Sequence, residues 1–252
     1  MKKSPNTTKP PIKVKPHAKQ FKVKNPPSHP PLDFNHLVDG FDRCFHGRGF
    51  DSEDFEKRER GYKEKAARVL KDKLDKDAFE SLLRDRHYAE VCEIAKQVLQ
   101  STNLAYYIEK AKFADGLKIA ANKERFANAL YDLLHGSTEM EQRFTKFCDL
   151  LSDMGANKWT VATYYQFLAT NGNWMFMKPK VTKRMAKFLN IALNFKPEPN
   201  WLTYSKLQEL ADRVDSELRQ RKLKKLEPHS RIDVQGFIWA SIKIEAGEYK
   251  CN

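Results

Sequence analysis

The sequence predicts an all-α fold: about ten helices in one compact body, joined by short connections and preceded by a basic Pro/Lys-rich arm. Three observations carry this. Apolar residues recur at three- and four-residue spacing through most of the chain beyond residue 50. No stretch sustains the two-residue alternation of a half-buried strand. Capping residues precede several of the apolar runs, and Gly or Pro closes others. The expected organisation is an arm over residues 1–31, a helical half over 32–136, and a second helical half over 137–252 that carries a hairpin-like turn.

The arm holds eight of the twelve prolines and eight lysines, with no acidic residue. Proline fixes φ and removes a donor, and the segment has little to bury, so it reads as disordered and partly polyproline II. It accounts for eight of the net charge of +13, leaving +5 for the rest. Such an arm either solubilises an ordinary domain or grips a polyanion without reading its sequence.

The elements follow in order. Residues 32–50 read as a loop: Gly40, Gly47 and Gly49 punctuate it, and Phe41, Phe45 and Phe50 dock it onto the body rather than stack on bases. Acidic Asp51 and Asp54 open the first helix, whose stripe is Tyr62, Ala66, Val69, Leu70 and Leu74. Asp77 starts a short helix with Phe79, Leu82 and Leu83. Helices over 87–99, 104–117 and 123–134 come next, the last ended by Gly136. Thr138-x-x-Glu141 resembles a capping box for a helix through Leu151. A helix over 159–169 follows a glycine turn. Thr182 caps another through Leu193, stopped by Pro197 and Pro199. Ser205-x-x-Gln208 opens the next, and Ser230-x-x-Asp233 caps a last helix to about Ile244.

Cys44, Cys92, Cys148 and Cys251 lack metal-ligand spacing, so no structural metal is expected. No phosphate-loop, dinucleotide or His-Glu-x-x-His pattern appears, and no cofactor is expected. The N-terminus has no apolar signal core, and no apolar run nears the ~20 residues that span a bilayer. The expectation is a cytoplasmic protein with unpaired thiols and no membrane partner. Oligomeric state is not legible.

The functional expectation centres on residues 148–184. The turn Asp153-Met154-Gly155-Ala156-Asn157-Lys158 precedes a helix start, where unpaired backbone N–H groups and partial positive charge suit a phosphate. Downstream, Lys178, Lys180, Lys183 and Arg184 place four cations within seven residues, undiluted by acid. With Gly155, Asn157 and Lys158 they form the expected DNA-binding set, and Trp174 joins it as a ring able to stack on a base. Lys158 and Asp233 are the candidate catalytic residues. For Asp233 the alternative is a helix cap, and for Lys158 a solvent-facing side chain.

The fragments GFDSEDFEKRERGYKEKAA, LLHGSTEMEQRF, KWTVATYYQFL, MFMKPKVT, PNWLTY and RIDVQGFIW resemble a bacterial family of uncharacterised all-helical proteins over roughly residues 40–245. More distantly, residues 145–251 are similar to helix-hairpin-helix DNA glycosylases of the endonuclease III type. The similarity rests on Met154-Gly155-Ala156-Asn157-Lys158, on Met177-Lys178-Pro179-Lys180-Val181, and on the ending with Phe237, Trp239 and Cys251. It implies a helix-hairpin-helix unit and DNA as partner. Lys158 falls near the Schiff-base lysine of that family's bifunctional members, and Lys178 stands about where the family keeps a catalytic aspartate. The four cysteines do not supply its iron–sulfur site. The leading expectation is therefore DNA binding, in repair or defence. The alternatives are a glycosylase- or lyase-like enzyme with shifted catalytic residues, and a protein-interaction module of a phage, defence or stress system.

Overall fold

A helix stands where the sequence predicts a loop. α1 (Phe34–Cys44) is capped by Asp33, whose carboxylate accepts from the His36 N–H at 3.0 Å. Phe34, Leu37, Val38, Phe41 and Cys44 share its buried face at helical spacing. Gly40, which reads as punctuation, lies inside this helix where α1 approaches Ile244. Phe41, Phe45 and Phe50 are fully buried, so these rings do pack inward. The computed structural model describes residues 33–170 and 173–251. The predicted arm over residues 1–31, together with Leu32, Asn171, Gly172 and Asn252, lies outside them.

The next helix has an irregular first turn. α2 (Glu53–Phe55) passes through a π-helical turn, Glu56–Arg60, into α3 (Gly61–Lys73). α4 (Lys76–Arg84), capped by Asp75, α5 (Tyr88–Gln100), α6 (Tyr107–Lys118) and α7 (Ala120–His135) follow. α8 (Met140–Asp153) starts one residue past the expected Thr138 box, and no side chain caps it. The helix predicted over 159–169 is broken into α9 (Trp159–Ala162) and α10 (Tyr164–Ala169). Thr163 makes the break, donating its hydroxyl to the Trp159 carbonyl at 2.7 Å and accepting the Met177 N–H at 3.0 Å. α11 (Pro179–Phe188) begins at Pro179 rather than behind Thr182, because proline suits the first helical position; Thr182 is buried inside the helix. α12 (Trp201–Arg219) likewise starts earlier than the Ser205 box, behind Asn200, whose side chain accepts from Thr203 N–H. α13 (Arg231–Glu245) is capped by Ser230 as expected.

Residues Leu32–Asn252 form one compact unit built of helices, with no strand among the described residues. α7 and α8, on either side of residue 137, pack on each other, and α13 runs against α1, α11, α12 and the π turn. Burial almost all round makes α13 the central helix: ten of its residues are buried, among them Asp233, Gln235 and Ser241. A disulfide joins Cys44 at the end of α1 to Cys251, correcting the expectation of four unpaired thiols. Cys92 and Cys148 are free and buried. Among the described residues no helix is long and apolar enough to cross a membrane.

Candidate functional site

The π turn sets charged side chains against the middle of the fold. Phe55, Glu59, Lys63, Ala66 and Leu70 fall on one inward stripe, so two ionisable residues occupy positions that helical phase gives to the core. Lys63 is completely buried, and its Nζ lies 3.5 Å from the Glu59 carboxylate. Burial pushes the Lys63 amine down and the Glu59 carboxyl up from their ordinary values, and each partner opposes the other's shift. The second Glu59 oxygen accepts from Tyr249 Oη at 3.0 Å. Arg60 forks onto buried Asp233 with bonds of 2.7 and 2.9 Å. Gly236 makes this approach possible: a Cβ there would lie 2.8 Å from the Phe55 ring and 3.4 Å from Glu59 Cβ.

Lys178 lies above this buried charge. The chain reaches it through a fixed loop: Met175 N–H donates to Gln208 and Met177 N–H to Thr163. Pro179 then starts α11, leaving Lys178 at the N-cap with extended backbone. Its Nζ sits 4.3 Å from the Trp239 ring centroid, 5.7 Å from that of Tyr106, and 3.4 Å from the Asn103 carbonyl. Burial lowers its pKa to about 8, with Lys63 adding to the shift.

Two cavities meet at Lys178 and Trp239. The outer one, about 250 Å³, is rimmed by Tyr106, Glu109, Thr160, Lys180 and Lys243. Tyr106 and its neighbour Tyr107 are 65% and 79% exposed, and Ile108 continues the open apolar run. Glu109 accepts from Thr160 Oγ1 and from the Tyr106 N–H, which holds the rim together. The inner cavity, about 110 Å³, is lined by Arg58, Glu59, Tyr62 and Gln235. Arg58 stacks its guanidinium 4.1 Å from the Tyr249 ring, yet its Nη1 is buried without a partner. Gln235 is 3% exposed, and its Oε1 has no partner either.

The predicted residues do not gather in one place. At the glycine turn the backbone is already paired: Gly155 N–H donates to Ser152, Ala156 N–H to Leu151, and Lys158 N–H back to Ala156, all within 2.9 Å. The expectation of unpaired amides there is corrected for these three, because the turn closes the end of α8 on its own carbonyls. Gly155 takes φ +69°, and both it and Lys158 are exposed. Asn157 is half-buried with its Oδ1 unpartnered. Trp174 lies at 5.9 and 6.0 Å from Tyr204 and Trp201, so its ring packs on protein aromatics. Lys183 sits 4.5 Å over the Phe195 ring, and Arg184 pairs with Glu245. Only Lys178 and Lys180 of the predicted cations line the outer cavity, with Glu248 3.7 Å from Lys180. Asp233 has both oxygens engaged by Arg60 and also accepts the His229 N–H, so it anchors the fold beneath the cavities.

Sequence reasoning overlooked Arg58, Glu59, Lys63, Tyr106, Tyr107, Gln235, Tyr249 and Lys243. Two signals marked some of them. Glu59 and Lys63 share the phase of Ala66 and Leu70, and Asp233 and Gln235 lie in the predominantly apolar run Ile232–Ile242. Among the described residues no group of three or more His, Cys, Asp or Glu is placed to hold a metal. The fold and site together define an all-helical protein with a partly buried lysine between two cavities. Comparison of the chain with protein-family models, with curated proteins and with solved structures found no match.

Proposed function

We propose that this protein binds DNA along the outer cavity and the aromatic segment beside it. The observation that carries the reading is the meeting of Tyr106 and Trp239 with Lys178, Lys180 and Lys243 around one opening, with exposed Tyr107 next in the chain. Rings that receive bases, set among cations that follow a backbone, suit an unpaired strand. Glu248 contacts both Lys180 and Lys243 and is displaced from them as phosphate arrives. The eight lysines of residues 1–31 add affinity that is independent of sequence. Salt-titrated binding to single-stranded, duplex and abasic DNA tests this. Affinity should fall steeply with salt, Tyr107→Ala should cost about 1–3 kcal/mol on a single strand, and Lys180→Glu should weaken every DNA alike. Unchanged affinity in both variants, or no binding at low salt, overturns the reading.

A second reading, a lyase-like enzyme, is favoured by one observation: the Lys178 amine, lowered to about 8 by burial, is substantially unprotonated in mildly basic solution. Such an amine adds to the aldehyde of an abasic sugar and loses water to form an imine, which borohydride reduces to a stable secondary amine. An adduct absent from Lys178→Met supports this. An adduct that survives in Lys178→Met and disappears in Lys158→Ala moves the role to Lys158.

A further inference from the structure

We propose that the inner cavity is an oxyanion site, and that Arg58, Lys178 and Gln235 hold in it the terminal phosphate of a nucleic-acid strand or a free inorganic phosphate. The strand-end form rests on the DNA-binding reading above; the oxyanion site itself does not.

The wall of the inner cavity carries unmet hydrogen-bonding capacity. A buried polar atom without a partner costs on the order of 1–3 kcal/mol, and this small cavity is lined by two residues that carry one: Arg58 with Nη1 and Gln235 with Oε1. Arg58 is positioned from behind by the Tyr249 ring. Tyr249 is in turn tied in place by its bond to Glu59 and, two residues on, by the disulfide.

The chemistry of the wall selects the kind of ligand. No hydrogen bond fixes which way the Gln235 amide faces, so a half-turn presents Nε2 in place of Oε1 at little cost. Arg58, Lys178 and Gln235 are then all donors toward the cavity, with the Tyr62 hydroxyl available beside them. The one carboxylate in the wall is occupied. Glu59 gives one oxygen to Lys63 and the other to Tyr249. The remaining cations, Arg58 and Lys178, leave the cavity short of negative charge. An oxyanion meets both needs, supplying acceptors for unpaired donors and charge for unpaired cations.

Access favours the end of a strand. Lys178 and Trp239 belong to both cavities, so a strand lying in the outer one ends at the inner. A space of 110 Å³ suits a group at the end of a chain better than a diester flanked by sugars on both sides. A phosphate monoester also carries about −1.5 to −2 near neutral pH, against a single charge for an internal diester.

The test uses the full chain and one internally labelled oligonucleotide in three forms, with a 5′-phosphate, a 3′-phosphate, or hydroxyls at both ends. Inorganic phosphate serves as a separate probe, read by calorimetry and by thermal shift. The expected result is that one phosphorylated form binds at least tenfold tighter than the hydroxyl form, and that inorganic phosphate competes away this difference. Arg58→Gln and Gln235→Leu each bring the ratio to one; because the ratio is taken within a variant, a general loss of folded protein does not imitate it. Equal binding of all three forms with no saturable effect of inorganic phosphate overturns the oxyanion site and leaves the DNA reading standing. A preference that persists in both variants also overturns it. If no oligonucleotide binds but inorganic phosphate saturably stabilises the wild type and neither variant, the DNA reading fails and the site holds for the free ion.

Discussion

The glycine turn at residues 153–158 and the junction at Lys178 lie on one connected stretch of chain, yet they treat their polar groups in opposite ways. At the turn the backbone is satisfied: Gly155 and Lys158 are exposed, their amides donate to carbonyls of the turn and the preceding helix, and a single side-chain atom, Asn157 Oδ1, is buried without a partner. At the junction two side chains are left with unmet atoms. Lys178 is wedged between Trp239 and Tyr106, and Arg58 and Gln235 have buried atoms without partners. The difference teaches that a local motif advertises binding only if folding leaves its donors free. A turn that closes a helix end uses those donors itself. Around the inner cavity two unmet atoms, on the π turn and the middle of α13, face a space shared with Lys178 at the start of α11, because each element is held in place by contacts of its own.

The largest expected effect tests that claim directly. If the junction depends on buried charge, Lys63→Ala, which leaves Glu59 buried and unpaired, should lower stability by about 3–5 kcal/mol in denaturant unfolding. Replacing both partners, as in Lys63→Met with Glu59→Leu, should recover most of it. At the turn, Lys158→Ala should stay within about 0.5 kcal/mol. A small effect of Lys63→Ala would mean that the pair is solvated and the contrast between the two regions is lost. The disulfide comes next. Cys44 and Cys251 close a loop over a sequence separation of 207, and the closure holds Tyr249 against Glu59 and Arg58. Replacing both by Ser should cost about 2–4 kcal/mol. Dithiothreitol should impose a similar loss on the wild type and none on the double variant.

How much of this was legible follows from the same contrast. The all-helical fold was readable because apolar periodicity is a local property, and the stripes of α5 and α7 carry it plainly. α1 was missed because three glycines outweighed the Phe34, Leu37, Val38 and Phe41 spacing. The early starts of α11 and α12 were missed because Thr182 and Ser205 resemble caps, and the local preference of Pro179 and Asn200 prevailed. Of the residues lining the outer cavity, Lys178 and Lys180 stood out in the sequence through their charge density. Lys63 and Gln235 did not, since a lysine one turn beyond Glu56, Lys57, Arg58 and Glu59 and beside Glu64 and Lys65 looks like a solvated face until tertiary packing chooses which side is buried. Pairing Cys44 with Cys251 needs two ends of the chain brought together, and nothing in their spacing announces that.

Two smaller predictions refine the comparison. Gly155 has φ +69° with open space where a Cβ would stand, so Gly155→Ala meets no clash and only the left-handed backbone penalises it. The expected cost is about 1–2 kcal/mol, with no change in DNA affinity if the turn is structural. A loss of affinity larger than the loss of folded protein would return the turn to the binding surface.

The last prediction concerns pH and Lys178. Burial is the main cause of its lowered pKa of about 8; Lys63 and Lys243 add to it, and Glu59 and Glu109 oppose it. An unfolded lysine titrates near 10.4. Between about pH 8 and 10.4 the unfolded chain therefore holds more protons than the folded one, and this group makes stability rise with pH. Below about pH 8 both states are protonated, and the cost of burying the charge is fully present. Lys178→Met removes that cost, so its stability relative to wild type should be greatest below pH 8 and shrink toward pH 10.4. The change should be on the order of 1 kcal/mol once solvent screening of a partly exposed amine is allowed for. Lys63, also shifted downward by burial, titrates in both proteins and repels Lys178, so the difference between them reports Lys178 together with its coupling to Lys63. A difference that stays flat from pH 7 to pH 10 would place the Lys178 amine in open solvent and separate it from the cavity beneath.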